Sequence, residues 1–111
     1  MATNATPVLQ LETEKQPAMT LVHCAGKVLI ESCNLFSTTV RALILEGKPI
    51  RVDLSKVTQV DSLGIGTFVS VWASAKNSGC DLKFINPSAQ VQDLVEITRL
   101  QEMFEPVAVR V

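Results

Sequence analysis

Residues that build reactive centres are scarce in this chain. Its one histidine, His23, adjoins Cys24, and the three cysteines Cys24, Cys33 and Cys80 are widely spaced with no Cys-x-x-Cys pair. That set does not supply a conventional four-ligand zinc site, so neither metal nor cofactor is expected. A single histidine also leaves a single imidazole base for nucleophilic catalysis, and no Gly-x-Ser-x-Gly elbow accompanies it. His23 falls in a predicted strand, where a structural histidine is the commoner case, so no enzyme is expected.

Charge of one sign is also missing. Ten Lys and Arg are scattered among eleven Asp and Glu for a net charge of -1, and no basic patch forms. Binding to a nucleic-acid backbone requires such a patch, which excludes that class of partner. The longest mainly apolar stretch, Leu63 to Ala75, is broken by Gly, Thr and Ser and falls short of a bilayer span. Residues 1–6 lack the basic and apolar regions of a secretion signal. The expectation is a cytoplasmic protein with reduced thiols and no membrane insertion.

What remains is a globular composition, 47% hydrophobic and 19% charged, on 111 residues. That is the size of one domain and too short for two buried cores. Residues 1–6 read as a flexible terminus and 7–111 as the domain. Val8 to Thr13 alternates weakly as a first strand. Met19 to Ala25 reads as a second, with Lys27 to Ile30 continuing it past a bulge or kink at Gly26. Phe36, Val40, Leu43 and Ile44 share one helical face, closed by Gly47 and Pro49. Ile50 to Leu54 alternates as a strand, followed by a predicted connection over residues 55–61. Ile65, Phe68, Val69 and Trp72 return to the helical period and predict a core stripe ending near Gly79. Leu82 to Ile85 predicts a strand, and Asn86-Pro87-Ser88 opens a third helix carrying Val91, Leu94 and Val95. Val107, Val109 and Val111 alternate as a last strand. The order is β-β-α-β-α-β-α-β, an α/β domain with a mixed sheet of about five strands flanked by helices.

One passage carries chemistry: Val60-Asp61-Ser62-Leu63-Gly64-Ile65-Gly66, between a strand and a helix. Asp61 or Ser62 can serve as the helix N-cap, the simplest reading. Gly64 and Gly66 each cost about 1 kcal/mol against alanine in a helix, so a bare backbone serves close packing or another molecule's approach. A serine at a helix N-terminus also suits phosphorylation, since free amides and partial positive charge favour a phosphate. Such a phosphate adds roughly -1.5 to -2 charge beside Asp61. Along the same helix Leu63, Thr67, Ser70, Val71 and Ser74 share a face distinct from the Ile65–Trp72 stripe. This face is either a docking surface continuous with Ser62 or a plain solvated helix side.

Asp61-Ser62-Leu63-Gly64-Ile65-Gly66 resembles the Asp-Ser-Ser/Ala-Gly-Leu/Ile-Gly motif of STAS domains, specifically bacterial anti-sigma factor antagonists. Val52-Asp53-Leu54-Ser55 before the motif agrees, as do Asn77-Ser78-Gly79 after it and Val91-Gln92-Asp93-Leu94 with Ile97-Thr98-Arg99-Leu100. The resemblance spans roughly residues 8–111. It implies partner switching: the unphosphorylated protein binds an anti-sigma factor that is also a serine kinase, the kinase phosphorylates Ser62 and the complex separates, and a serine phosphatase resets it. Asp61 then assists recognition, while Leu63, Gly64, Gly66, Thr67 and Val71 shape the docking turn. Gly26-Lys27-Val28-Leu29 departs from the family's Gly-Glu-Leu/Ile-Asp, with lysine and leucine where acids stand. The alternative is a constitutive STAS subunit of a signalling or transporter-associated assembly in which Ser62 is only a cap. A weak homodimer is left open.

Overall fold

A computed structural model describes residues 8–105 of the protein. Strands β1 (Leu9–Lys15), β2 (Thr20–Val28), β3 (Ile50–Val60) and β4 (Leu82–Ile85) form one sheet in that spatial order. β1 runs antiparallel to β2, and β2–β3 and β3–β4 are parallel. Helices α1 (Cys33–Ile44) and α2 (Ser62–Asn77) make the two crossovers, and α3 (Ala89–Thr98) follows β4 with a 3-10 turn at Gln101–Met103. The result is the expected α/β domain with a mixed sheet, four-stranded among the described residues. The predicted last strand, 107–111, lies outside them. Just before it the chain turns parallel to β4, with Glu105 N–H donating to Phe84 O at 3.0 Å.

Alternation along the strands sends Val22, Cys24, Val52, Leu54, Leu82 and Phe84 into the core. Their neighbours His23, Arg51, Asp53 and Lys83 stay half-buried on the other side of the sheet. Cys24 and Cys80 are buried core thiols, and burial, then Asp53, pushes the Cys24 thiol up to about 12. The aromatic spine runs Phe36–Phe68–Phe84, with ring centroids 5.1 and 5.0 Å apart. It locks α1, α2 and β4 together.

Two elements differ from expectation. β3 extends through Val60 instead of stopping at Leu54, because Lys56 to Val60 pair with Ala25 to Val28 across two register irregularities. Those irregularities break the alternation, so Ser55, Lys56, Thr58 and Gln59 are exposed strand residues that read as loop. The buried seam of α2 is Gly64, Phe68, Val71 and Ala75, while Ile65, Val69 and Trp72 of the predicted stripe are half-buried. Gly64 is bare because the start of α2 lies close on the strand ends, where a side chain would meet Val28 O at 2.3 Å.

Gly26 explains why β2 bends without stopping. Its φ is +113°, and a side chain there would meet Val8 O at 2.3 Å. The neighbouring Lys27 N–H donates to that same oxygen at 2.8 Å. β2 therefore continues to Val28 before the chain turns.

Candidate functional site

The β2–α1 turn and the start of α2 meet at the ends of β2 and β3. Ser32 stands at the N-cap position of α1 but makes no cap bond. Its buried hydroxyl instead donates to Lys27 O at 2.7 Å and accepts from Leu29 N–H at 2.9 Å. This folds residues 29–32 tightly and leaves the Ile30 side chain 66% exposed.

Asp61 joins the two segments. Its Oδ1 accepts from Gly64 N–H at 2.8 Å, making Asp61 the N-cap of α2. Its Oδ2 accepts from Ile30 N–H at 2.9 Å, and its own amide donates to Val28 O at 3.3 Å. Both carboxylate oxygens are thus occupied inside the fold, so Asp61 shapes the surface by holding it. Asp61→Ala is expected to lose the cap, worth about 0.5–2 kcal/mol, and the charge-assisted bond to Ile30, worth about 1.5–3 kcal/mol. Thermal melting checks this: a fall of 10 °C or more is expected, with Asp61→Asn losing less.

The capping assignment frees Ser62. Ser62 is the first helical residue, exposed, and among the described residues its hydroxyl holds no cap bond. The reading of Ser62 as the helix N-cap is therefore corrected: Asp61 reaches Gly64 N–H and does that work. Beside Ser62, Leu63 is 52% exposed. The amides of Ser62 and Leu63 fall in the first turn, where a helix has no internal acceptors for them.

The remaining predicted site residues divide in two. Gly66 and Thr67 line a shallow groove of about 400 Å³ between α1 and α2, together with Leu63, Ile30, Cys33 and Ser70. Thr67 is half-buried and donates its hydroxyl to Leu63 O at 2.8 Å. Val71 is corrected: at 0% exposure it faces the core and is no part of a surface. Gly64 is buried too, and a side chain there would meet Val28 O at 2.3 Å and Val60 Cγ1 at 2.7 Å. It serves close packing of α2 on the strand ends and offers no contact atom. Ile30 carries little signal in the sequence beyond an apolar side chain in a short turn ahead of a helix.

The other chemistry-bearing residue lies elsewhere. His23 is in mid-β2, opposite Glu12 and Asp53, and its Nε2 is 3.3 Å from Glu14 Oε1. The Asp53 carboxyl is pushed up by burial, but bonds from Ser55 and Asn86 outweigh that and hold it below its ordinary value. Among the described residues no three His, Cys, Asp or Glu side chains converge as a metal site. No helix among them is long and apolar enough to cross a membrane.

A family model described as "Mlab, STAS domain" matches residues 11–106, which include the whole site. The chain belongs to the STAS family. An anti-sigma-B factor antagonist of Bacillus subtilis is 30% identical over 84 residues, covering 76% of this chain and 77% of the relative. Among solved structures, an anti-sigma factor antagonist from Mycobacterium paratuberculosis superimposes with a TM-score of 0.76 at 14% identity, covering 86% of this chain and 82% of that one. The Bacillus cell fate determinant SpoIIAA in its phosphorylated form gives a TM-score of 0.69 at 13% identity, covering 89% and 92%. At those identities the two structures speak for the shared STAS fold alone. The described residues of this STAS domain place Ser62 on its surface where β3 passes into α2.

Proposed function

We propose that this STAS domain is an anti-sigma factor antagonist that works by partner switching at Ser62, without catalysis of its own. The observation that carries the reading is an exposed serine, released from capping by Asp61, at the head of an apolar ridge. The ridge consists of Leu63 and Ile30, large apolar side chains left largely in solvent. Its relative, an anti-sigma-B factor antagonist 30% identical to it, supplies the class of partner.

In this reading the unmodified ridge docks on an anti-sigma factor that is also a serine kinase. The kinase moves the γ-phosphoryl group of a nucleoside triphosphate to Ser62 Oγ, releasing the diphosphate and the hydroxyl proton. The first-turn amides of α2 then help to hold the phosphate. Its charge stands beside the Asp61 carboxylate and at the edge of an apolar contact, where desolvation is costly. The complex separates, and a serine phosphatase restores the hydroxyl. Asp61 takes part by fixing the ridge, and Lys27 and Leu29 lie in and just after β2, where their backbones bond the Ser32 hydroxyl.

The test is affinity capture from cytoplasm of the source organism with wild type, Ser62→Ala and Ser62→Asp, alongside intact-mass analysis of the wild type. Wild type and Ser62→Ala are expected to retain a kinase-like partner that Ser62→Asp loses, and one phosphate is expected on Ser62. Identical capture by all three without phosphate would support a constitutive adaptor instead.

Gly66 separates surface from scaffold. A side chain at Gly66 meets nothing within 4 Å. Gly66→Ala is therefore expected to stabilise the protein by about 1 kcal/mol through helix propensity. The added methyl group enters the groove, so partner affinity is expected to fall severalfold. Chemical denaturation and a binding titration on the same sample check the opposite signs.

A further inference from the structure

The face shared by α1 and α2 contains no Asp or Glu, although the chain has eleven. In the last turn of α1 stands Arg41, facing the second half of α2. Arg41 Nε donates to Ser37 Oγ at 2.9 Å, Nη1 to Ser74 Oγ at 2.5 Å and Nη2 to Ser70 Oγ at 2.6 Å. Three hydroxyls from two helices therefore hold the guanidinium in one orientation. No carboxylate neutralises it among the described residues.

Arg51, in β3, is different. Arg51 is closed by Asp81 at 3.0 Å and Glu105 at 2.9 Å. Arg41 has five N–H donors and spends three on serines, which leaves one on each of Nη1 and Nη2. In all three bonds the serine oxygen is the acceptor, so each hydroxyl still has a proton to donate. The cluster is rich in donors and, among the described residues, lacks a charged acceptor. A fixed guanidinium loses little freedom when it receives a carboxylate, which favours bidentate recognition.

Arg41 also adjoins the Ser62 ridge. Ser70 belongs both to the Arg41 cluster and to the groove that Leu63 and Ile30 line. Ser70 lies eight positions along α2 from Ser62, about 12 Å at 1.5 Å per residue. A docking patch of ordinary size, about 800 Å² per partner, covers both.

We infer that Arg41 is the second anchor of the docking surface and receives a carboxylate side chain from the protein that contacts the Ser62 ridge. This rests on the reading of Ser62 as a docking point and adds the charge of the partner: an acidic residue about two helical turns from the apolar contact. Hydroxyls, being uncharged, orient Arg41 without cancelling the field that a partner's carboxylate meets. The contact chooses the partner by charge, and the Ser62 phosphate decides when it binds.

The test uses the partner identified by its loss on Ser62→Asp, purified, against the full chain. Kd is measured for wild type, Arg41→Lys, Arg41→Gln and Arg41→Glu at low and high salt, with a melting curve for each. Arg41→Gln is expected to weaken binding about tenfold and Arg41→Glu at least a hundredfold. Arg41→Lys is expected to fall between wild type and Arg41→Gln, with its shortfall shrinking in salt. One Glu or Asp of the partner, changed to Arg, is expected to restore binding to Arg41→Glu. Should Arg41→Glu fail to fold, the same partner substitution against wild type carries the test, with a tenfold loss expected. If Arg41→Gln and Arg41→Glu bind within twofold of wild type while Ser62→Asp does not bind, the Arg41 anchor is overturned and the Ser62 reading stands. If no protein distinguishes Ser62 from Ser62→Asp, the Ser62 reading fails and takes the anchor with it.

Discussion

Ser62→Asp is expected to weaken partner binding at least a hundredfold while leaving the melting temperature within a few degrees of wild type. The two halves of this result have separate causes. Binding is lost because the new carboxylate stands next to the exposed Leu63, at the edge of the apolar surface that Leu63 and Ile30 form, so docking must strip water from a charge that gains no counter-ion there. A hundredfold loss corresponds to about 2.7 kcal/mol, within the several kcal/mol that an unpaired buried charge costs. Stability is kept because Ser62 carries no structural bond that the substitution breaks, Asp61 being the cap. An acidic side chain in the first turn gains about 0.3–1 kcal/mol from the helix dipole, offset by repulsion from Asp61. Ser62→Ala, which adds neither charge nor bulk, is expected to bind like wild type. Calorimetry with the purified partner and a melting curve for each variant check both halves.

Gly64→Ala is expected to produce the largest loss of stability of any single methyl group added to α2. The new Cβ would lie 2.3 Å from Val28 O and 2.7 Å from Val60 Cγ1. Val60 can turn, but Val28 O is backbone and already accepts the Asp61 amide at 3.3 Å. Val28 and Val60 also pair at the end of the β2–β3 ladder. The start of α2 therefore has to lift, which strains the Asp61 bonds to Gly64 and Ile30. Overpacking of this kind costs about 3 kcal/mol, a large part of the 5–15 kcal/mol that holds a domain together. A drop in Tm of more than 10 °C is expected, together with weaker partner binding as the ridge moves. Gly66→Ala, two residues along, is expected to shift Tm the other way. Equilibrium unfolding of the pair side by side makes the comparison.

Much of this was legible in the sequence where periodicity and a bounded motif coincided. The α1 stripe of Phe36, Val40, Leu43 and Ile44 is buried as its spacing implies, and β4 has the predicted bounds. The motif at 61–66 pointed to a helix start with two glycines that have physical reasons. What the pattern could not supply was which reason belongs to which glycine. Gly64 is set by a carbonyl 36 residues earlier in the chain, and Gly66 faces open space. The same limit hid the true seam of α2. Hydropathy favoured Ile65 and Trp72, whereas close approach to the sheet selected Gly64 and Ala75. Val71 was misplaced on the outer face for that reason. The end of β3 escaped because a register irregularity interrupts its alternation with Ser55 and Lys56. Asp61 and Ser62 are both good caps by type, and only the direction of the carboxylate toward Gly64 and Ile30 tells them apart.

The proposed switch is Ser62, on an exposed ridge. Its most direct test is the affinity of one purified partner for two preparations of the same chain, one unmodified and one carrying a single phosphate on Ser62. The unmodified chain is expected to bind, and the phosphorylated chain to bind at least a hundredfold more weakly, with phosphatase treatment restoring the first value. Equal affinities for the two preparations would contradict the account.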